Sequence, residues 1–240
     1  MFEKREFLEI GVVFSALLQA DLGFFAPWNT PHFDIPFDTQ SLATTRGQLT
    51  QFRTMFQRHA ITTHNFDAEV AIIEAPTGIG KTKVFLDIIN EYRNQNQEFE
   101  RVFYFSPLLA LTDDFEEKIT RVVEPSDLDD IIMYNHLFSA TLAERQSLGP
   151  GQFGEYHTDF TYKSFNQKFI IATTQRLLMM IYSNGQEGKM KLVSLKNSLL
   201  VLDEAAHIEG LEELWTGLYP TLSTGGRCIA LSIPNGVGNW

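Results

Sequence analysis

Residues 74–82 read Glu-Ala-Pro-Thr-Gly-Ile-Gly-Lys-Thr, between the apolar run Val70–Ile73 and the run Val84–Ile89. Small residues let backbone N–H groups wrap around an anion, and a helix starting just after them aims its positive end at the same place. Lys81 suits the β/γ oxygens of a nucleotide and the Thr82 hydroxyl suits magnesium. Ala75, Pro76, Thr77, Gly78, Ile79, Gly80, Lys81 and Thr82 are therefore the candidate cradle for ATP. Ala75 stands where the usual pattern has glycine, a mild departure that a turn accepts.

A second constellation is the run Leu199-Leu-Val-Leu-Asp-Glu-Ala-Ala-His207. An apolar strand ending in two acids sets both carboxylates at the carboxyl edge of a sheet, where open α/β folds bind ligands. Asp203 would hold magnesium together with Thr82, and Glu204 would polarise the attacking water. Taken alone, the same run is also a strand followed by an acidic helix start, so it is the pairing with the upstream loop that points to Lys81, Asp203 and Glu204 as catalytic.

The elements that must position these residues are short apolar runs alternating with helical segments. Val70–Glu74, Val102–Phe105, Phe169–Ala172, Leu199–Leu202 and Cys228–Ser232 are continuous enough to be strands buried on both faces. Their alternation with helices predicts an α/β fold, a parallel sheet with helices on both faces. Upstream, Phe7, Ile10, Phe14, Leu17 and Leu18 follow a helical period, which predicts a buried or half-buried helix stopped by Gly23 and Pro27. Pro27, Pro31 and Pro36 then predict an extended linker over residues 27–45, and a further helix is expected over Leu49–His59. The organisation expected is a helical segment at 1–26, the linker at 27–45 and one ATPase lobe at 46–240. Residues 126–168 turn polar and glycine-rich and read as an insertion or loop region.

Composition excludes several classes. The 240 residues, 44% hydrophobic, suffice for a sizeable core, and the lone Cys228 can make neither an internal disulfide nor a cysteine metal site. A reducing, cytoplasmic setting is expected. Nineteen Lys and Arg against 30 Asp and Glu leave a net charge of -11, so nucleic acid would have to meet a local basic face. Glu9, Gln19 and Asp21 interrupt the stretch Phe7–Phe25, which argues against a membrane span, and Glu3 and Glu6 cancel the Lys4–Arg5 charge that a signal peptide would need.

These residues carry a family signature. Glu74–Thr82 is similar to motif I of superfamily-two DNA helicases, Asp203–His207 to motif II, and Phe103-Tyr-Phe-Ser-Pro-Leu-Leu109 to the strand-loop motif that touches the nucleic-acid backbone. More narrowly, Glu74–Thr82, Ile171-Ala-Thr-Thr-Gln-Arg-Leu-Leu178 and Ser198–Glu204 resemble the CRISPR-associated helicase-nuclease of type I systems. The resemblance implies a P-loop RecA-like first motor lobe working with ATP and Mg2+ on single-stranded DNA. It also implies a second RecA-like lobe and a CRISPR surveillance complex as partners. Phe14–Asp21 resembles the last helix of the HD nuclease domain that precedes the motor in that family, yet the chain has no His-Asp dipeptide, so no nuclease activity is expected. Without a second lobe to donate an arginine across the cleft, weak ATP binding with little turnover is expected.

The carboxyl end departs from the helicase pattern, since Ala230-Leu-Ser-Ile-Pro-Asn-Gly236 stands where a Ser-Ala-Thr motif is expected. Residues 207–240 instead resemble the large terminase ATPase of tailed phages, which leaves a DNA-packaging ATPase fragment, or a nucleotide-binding fragment without hydrolysis, as alternatives. Phe138-Ser-Ala-Thr-Leu142 spells the triplet but precedes Asp203, out of family order, and reads as a helix cap or surface segment. Gln48 and Gln51 stand upstream of the loop, where such motors place an adenine-reading glutamine. His207 is a candidate link between nucleotide and DNA, and Arg176 a candidate phosphate contact, although both also read as ordinary helix-surface residues.

Overall fold

Each of the five apolar runs expected as strands forms one, and a sixth joins them. The structure is a computed structural model that describes residues 4–22, 30–42, 49–134, 164–182, 186–208 and 211–233. Its strands are β1 (Val70–Glu74), β2 (Arg101–Ser106), β3 (Ile131–Tyr134), β4 (Phe169–Thr173), β5 (Ser198–Leu202) and β6 (Arg227–Ser232). They pair in the order β1-β6-β5-β2-β4-β3, every neighbour parallel. Sequence reading missed β3 because its four residues, Ile-Ile-Met-Tyr, open the polar stretch taken as an insertion.

The helices are α1 (Lys4–Leu22), α2 (Leu49–Thr63), α3 (Lys81–Asn94), α4 (Leu109–Val122), α5 (Thr174–Tyr182), α6 (Gln186–Leu192) and α7 (Leu211–Ser223). β2 and β5 are buried at every position. Because side chains alternate across a strand, one run feeds two cores. Val102, Tyr104, Leu199 and Val201 pack under α3 and α4, while Phe103, Phe105, Leu200 and Leu202 pack against α5 and α7. That double burial is why these strands read as continuous apolar runs rather than alternating ones.

Within the stretch expected as an extended linker, residues 30–38 run extended and pack against the lobe. Phe33, Ile35, Phe37 and Thr39 are buried in alternation with exposed His32, Asp34, Pro36 and Asp38. The segment is tied down at both ends: Phe33 N–H donates to Phe99 O at 2.9 Å and Asp38 N–H to Val122 O at 2.7 Å. In between, the Asn90 amide of α3 clamps Phe37, accepting from its N–H at 3.1 Å and donating to its carbonyl at 2.8 Å. The prolines hold an extended backbone that lacks donors, and the period-two phenylalanines supply the reason to dock it.

The expected first helix forms, but its faces are reversed relative to the apolar stripe. Ile10, Val13, Phe14 and Leu17 are 49–63% exposed, whereas Gly11, Ser15 and Gln19 face inward. A side chain on Gly11 would come within 3.2 Å of the Leu192 side chain, so glycine lets α1 approach α6 closely without displacing it. Ser15 Oγ donates to Met190 O at 3.0 Å and accepts from Val193 N–H at 2.9 Å. Gln19 Nε2 donates to Met190 O at 2.5 Å and Ser194 Oγ at 3.2 Å. The inward polar residues thus satisfy carbonyls at the end of α6, which a helix terminus leaves without partners. Gln19→Ala is expected to cost about 2 kcal/mol by removing buried hydrogen bonds to Met190 O and Ser194 Oγ and leaving a gap between α1 and α6, while Leu17→Ser should stay within about 0.5 kcal/mol, both read by urea denaturation. The reverse ranking would show that α1 packs by its apolar side.

Candidate nucleotide site

The carboxyl ends of β1, β5 and β6 meet at one point. β1 runs into the loop 75–80, and α3 begins at Lys81 with Gly80 as its cap in the left-handed region at φ +101°. Gly78, at φ +74°, is left-handed too. The Gly80 backbone angle calls for glycine, and a side chain there would also come 2.9 Å from Gln57 Nε2, the movable end of a long side chain on α2. The loop is anchored on β6, where Ser232 O accepts from Ala75 N–H at 3.0 Å. Lys81 Nζ donates to that same carbonyl and to Ala75 O, each at 3.2 Å, and lies 3.6 Å from Glu204 Oε1. Lys81 meets Ser232, 151 positions away, and Glu204, far along the chain as well, only because β1, β6 and β5 are neighbours.

The acids sit where β5 ends. Asp203 N–H donates to Phe105 O at 2.8 Å, extending the β2–β5 ladder by one bond beyond the strand. The Asp203 carboxylate accepts from the Tyr104 hydroxyl through Oδ2 at 2.5 Å. Burial, and then the negative charge of Asp203, push the Tyr104 phenol far above its ordinary value, so it is a donor at any working pH. Glu204 takes the left-handed conformation at φ 48°, which costs a non-glycine residue roughly 1–2 kcal/mol. Its Oε1 faces Lys81, while Oε2 is buried with no hydrogen-bond partner. A strained residue carrying an unsatisfied buried oxygen is what a site waiting for a ligand or water presents.

Around this point lies a cavity of about 470 Å³, large enough for a nucleotide. Loop residues Gly78, Gly80, Lys81 and Thr82 line it together with Asp203 and Glu204. Two helices wall it, each with one face. From α2 come Thr50, Arg53, Thr54 and Gln57, and from α4 Leu111, Asp114, Phe115 and Lys118. Both sets follow the spacing i, i+3, i+4, i+7 of a single helical stripe. Arg53 Nε donates to Gly78 O at 2.9 Å and so ties α2 to the loop. Sequence reading did not single out these residues; the polar stripe on α2 was the available signal, because its apolar side, Phe56, Ala60 and Ile61, already accounts for the core contact.

Other expected residues fall elsewhere. Gln51 is exposed on α2 and does not line the cavity, where Gln57 stands instead; Gln48 lies outside the described residues. His207 is exposed, with its N–H bonded to Glu204 O at 2.8 Å. Arg176 sits with its guanidinium 5.3 Å from the centroid of the Tyr134 ring rather than beside the loop. The triplet at 139–141 and residues 234–240 lie outside the described residues. Cys228 is buried in the sheet, and that burial pushes its thiol well up, so it is an inert packing residue. Among the described residues no cluster of three or more His, Cys, Asp or Glu is placed to hold a metal, and no helix is long and apolar enough to cross a membrane. A magnesium ion held partly by nucleotide phosphates needs only one or two protein ligands, which Thr82 and Asp203 on the cavity wall can supply.

The sequence profile of the DEAD/DEAH box helicases matches residues 54–232, three quarters of the chain and the whole of the sheet. The chain belongs to the DEAD/DEAH box helicase family. This helicase lobe is similar in fold to crystal structures of T. fusca Cas3. The ATP-bound form is 19% identical with a TM-score of 0.56, covering 85% of this chain and 23% of that one. A second T. fusca Cas3 structure is also 19% identical, with a TM-score of 0.54 and 85% and 22% covered. The AMPPNP form is 17% identical, with a TM-score of 0.52 and 82% and 23% covered. The chain therefore spans less than a quarter of the length of these structures. No curated protein matches it. The helicase match runs through Ser232 and so takes in most of the segment whose resemblance to terminases stood as the alternative.

Proposed function

We propose that this helicase lobe is the ATP-binding first lobe of a DNA translocase of the CRISPR-associated kind used in antiviral defence. The observation that carries the reading is the convergence on Lys81 of the phosphate loop, Glu204 and the end of β6. In the free lobe Lys81 is held by two carbonyls and an acid. On nucleotide binding it would exchange them for the β/γ oxygens, and Glu204, released from Lys81, would orient the attacking water with its unpartnered Oε2. Magnesium, held by Thr82 and Asp203, would neutralise charge on the phosphates. Gln57, rather than Gln51, is the glutamine available to read the base from α2.

DNA, a second lobe and a CRISPR surveillance complex would complete the machine. The exposed stripe Ile10, Val13, Phe14 and Leu17 on α1 is the face that a preceding HD domain would cover, which supports the reading of α1 as the end of such a domain. Calorimetric titration of ATP with magnesium tests the core of the proposal. The wild-type chain should bind, and Lys81→Ala should bind at least tenfold more weakly, the loss of one or more charge-assisted hydrogen bonds. Equal affinity in the two proteins would sink the reading of residues 75–82 as a phosphate cradle.

A further inference from the structure

We infer that Tyr104 is a positioning residue for the metal-binding carboxylate, and that it acts by orienting Asp203 rather than by touching nucleotide phosphate or metal. The inference deepens the proposed nucleotide site and rests on it. Two consecutive residues of β2 grip Asp203. The Phe105 carbonyl accepts from its backbone N–H at 2.8 Å, and the Tyr104 hydroxyl donates to its Oδ2 at 2.5 Å. This is the one side-chain hydrogen bond to Asp203 among the described residues, and it leaves Oδ1 without a protein partner.

The donor itself is immobilised. Tyr104 lies in β2, between β5 and β4, and is 3% exposed. Its ring stacks on Phe115 at 3.7 Å and on Phe85 at 5.7 Å, both at an interplanar angle of 20°. Phe85 belongs to α3, the helix that starts at Lys81, and Phe115 to α4, the helix whose stripe walls the cavity. The hydroxyl position is thereby set by the same two helices that shape the nucleotide cavity. A carboxylate with one oxygen held by a fixed donor is biased toward one rotamer with the other oxygen turned to the cavity, which is how outer-sphere partners orient metal ligands. Phenylalanine at 104 would keep the same stacked ring, so packing alone does not call for the hydroxyl.

The experiment compares ATP affinity in magnesium and in EDTA for the wild-type chain, Tyr104→Phe, Asp203→Asn and the double variant, with thermal unfolding of each. Tyr104→Phe keeps the stacked ring. It should bind ATP about tenfold more weakly than wild type in magnesium and within twofold of wild type in EDTA, in line with the losses seen when outer-sphere partners are removed. In the Asp203→Asn background, Tyr104→Phe should add no further loss, because the two act as one unit. Three results would overturn the inference while leaving the nucleotide site standing: wild-type magnesium affinity in Tyr104→Phe, equal weakening with and without magnesium, or additive losses in the double variant. A wild-type chain whose ATP affinity is the same in magnesium and in EDTA would overturn both the inference and the metal reading beneath it.

Discussion

Glu204→Gln is expected to lower ATP turnover by about a thousandfold while leaving ATP affinity equal to wild type or higher. The size follows from its place on the cavity wall, with Oε1 facing Lys81 and the buried Oε2 without a hydrogen-bond partner, ready to direct water; general-base assistance contributes about 10²- to 10⁴-fold. The sign of the binding change follows from the same pair. In the free lobe Glu204 competes with phosphate for Lys81 at 3.6 Å, and a neutral amide competes less. Phosphate release would be measured with single-stranded DNA and a second motor lobe present, and affinity on the chain alone. Turnover within tenfold of wild type would remove Glu204 from the role of base.

Phe169→Ala is expected to cost about 4 kcal/mol of folding stability, the range for truncating a fully buried aromatic residue. For a domain of this length that is a fall of about 10 °C in melting temperature. Phe169 is fully buried at the start of β4 and pairs in register with both Val102 and Ile131. Its ring meets Phe33 at 6.3 Å, Phe37 at 5.8 Å and Phe115 at 6.1 Å. The cavity left behind would therefore open against the docked segment as well as against α4. Proteolysis within residues 30–42 should accelerate together with the loss of stability, since Phe33 and Phe37 lose their shared partner. A cost under 1 kcal/mol, with no change in proteolysis, would show that the segment is held by its backbone bonds to Phe99 and Val122 alone.

The parts of the site that lie within one stretch of chain were legible in the residues. Ala75–Thr82 announces itself because a phosphate cradle is built from backbone amides and needs small residues, and Asp203–Glu204 stands out only beside that loop, since an apolar run ending in acids is also an ordinary strand followed by an acidic helix start. Tyr104, Arg53, Gln57 and Lys118 were not legible. Each belongs to the cavity through packing between elements, and a tyrosine in a buried strand carries no mark that distinguishes a carboxylate's partner from core filling. The segment at 30–42 misled for a related reason. Pro31 and Pro36 describe how the backbone runs, not whether its side chains find a surface, and the alternation of Phe33, Ile35 and Phe37 held the information that the prolines obscured.

Local chemistry and periodicity, carried by the residues alone, determined the α/β class, five of the strands, the phosphate loop and the identity of the acids. Tertiary structure decided which face of α1 is buried, because satisfying the carbonyls at the end of α6 and the close approach at Gly11 outweigh an apolar stripe that stays exposed among the described residues. It also decided strand order, and with it the meeting of Lys81, Glu204 and Ser232. Their contacts span more than a hundred residues, and no local pattern encodes which strands become neighbours.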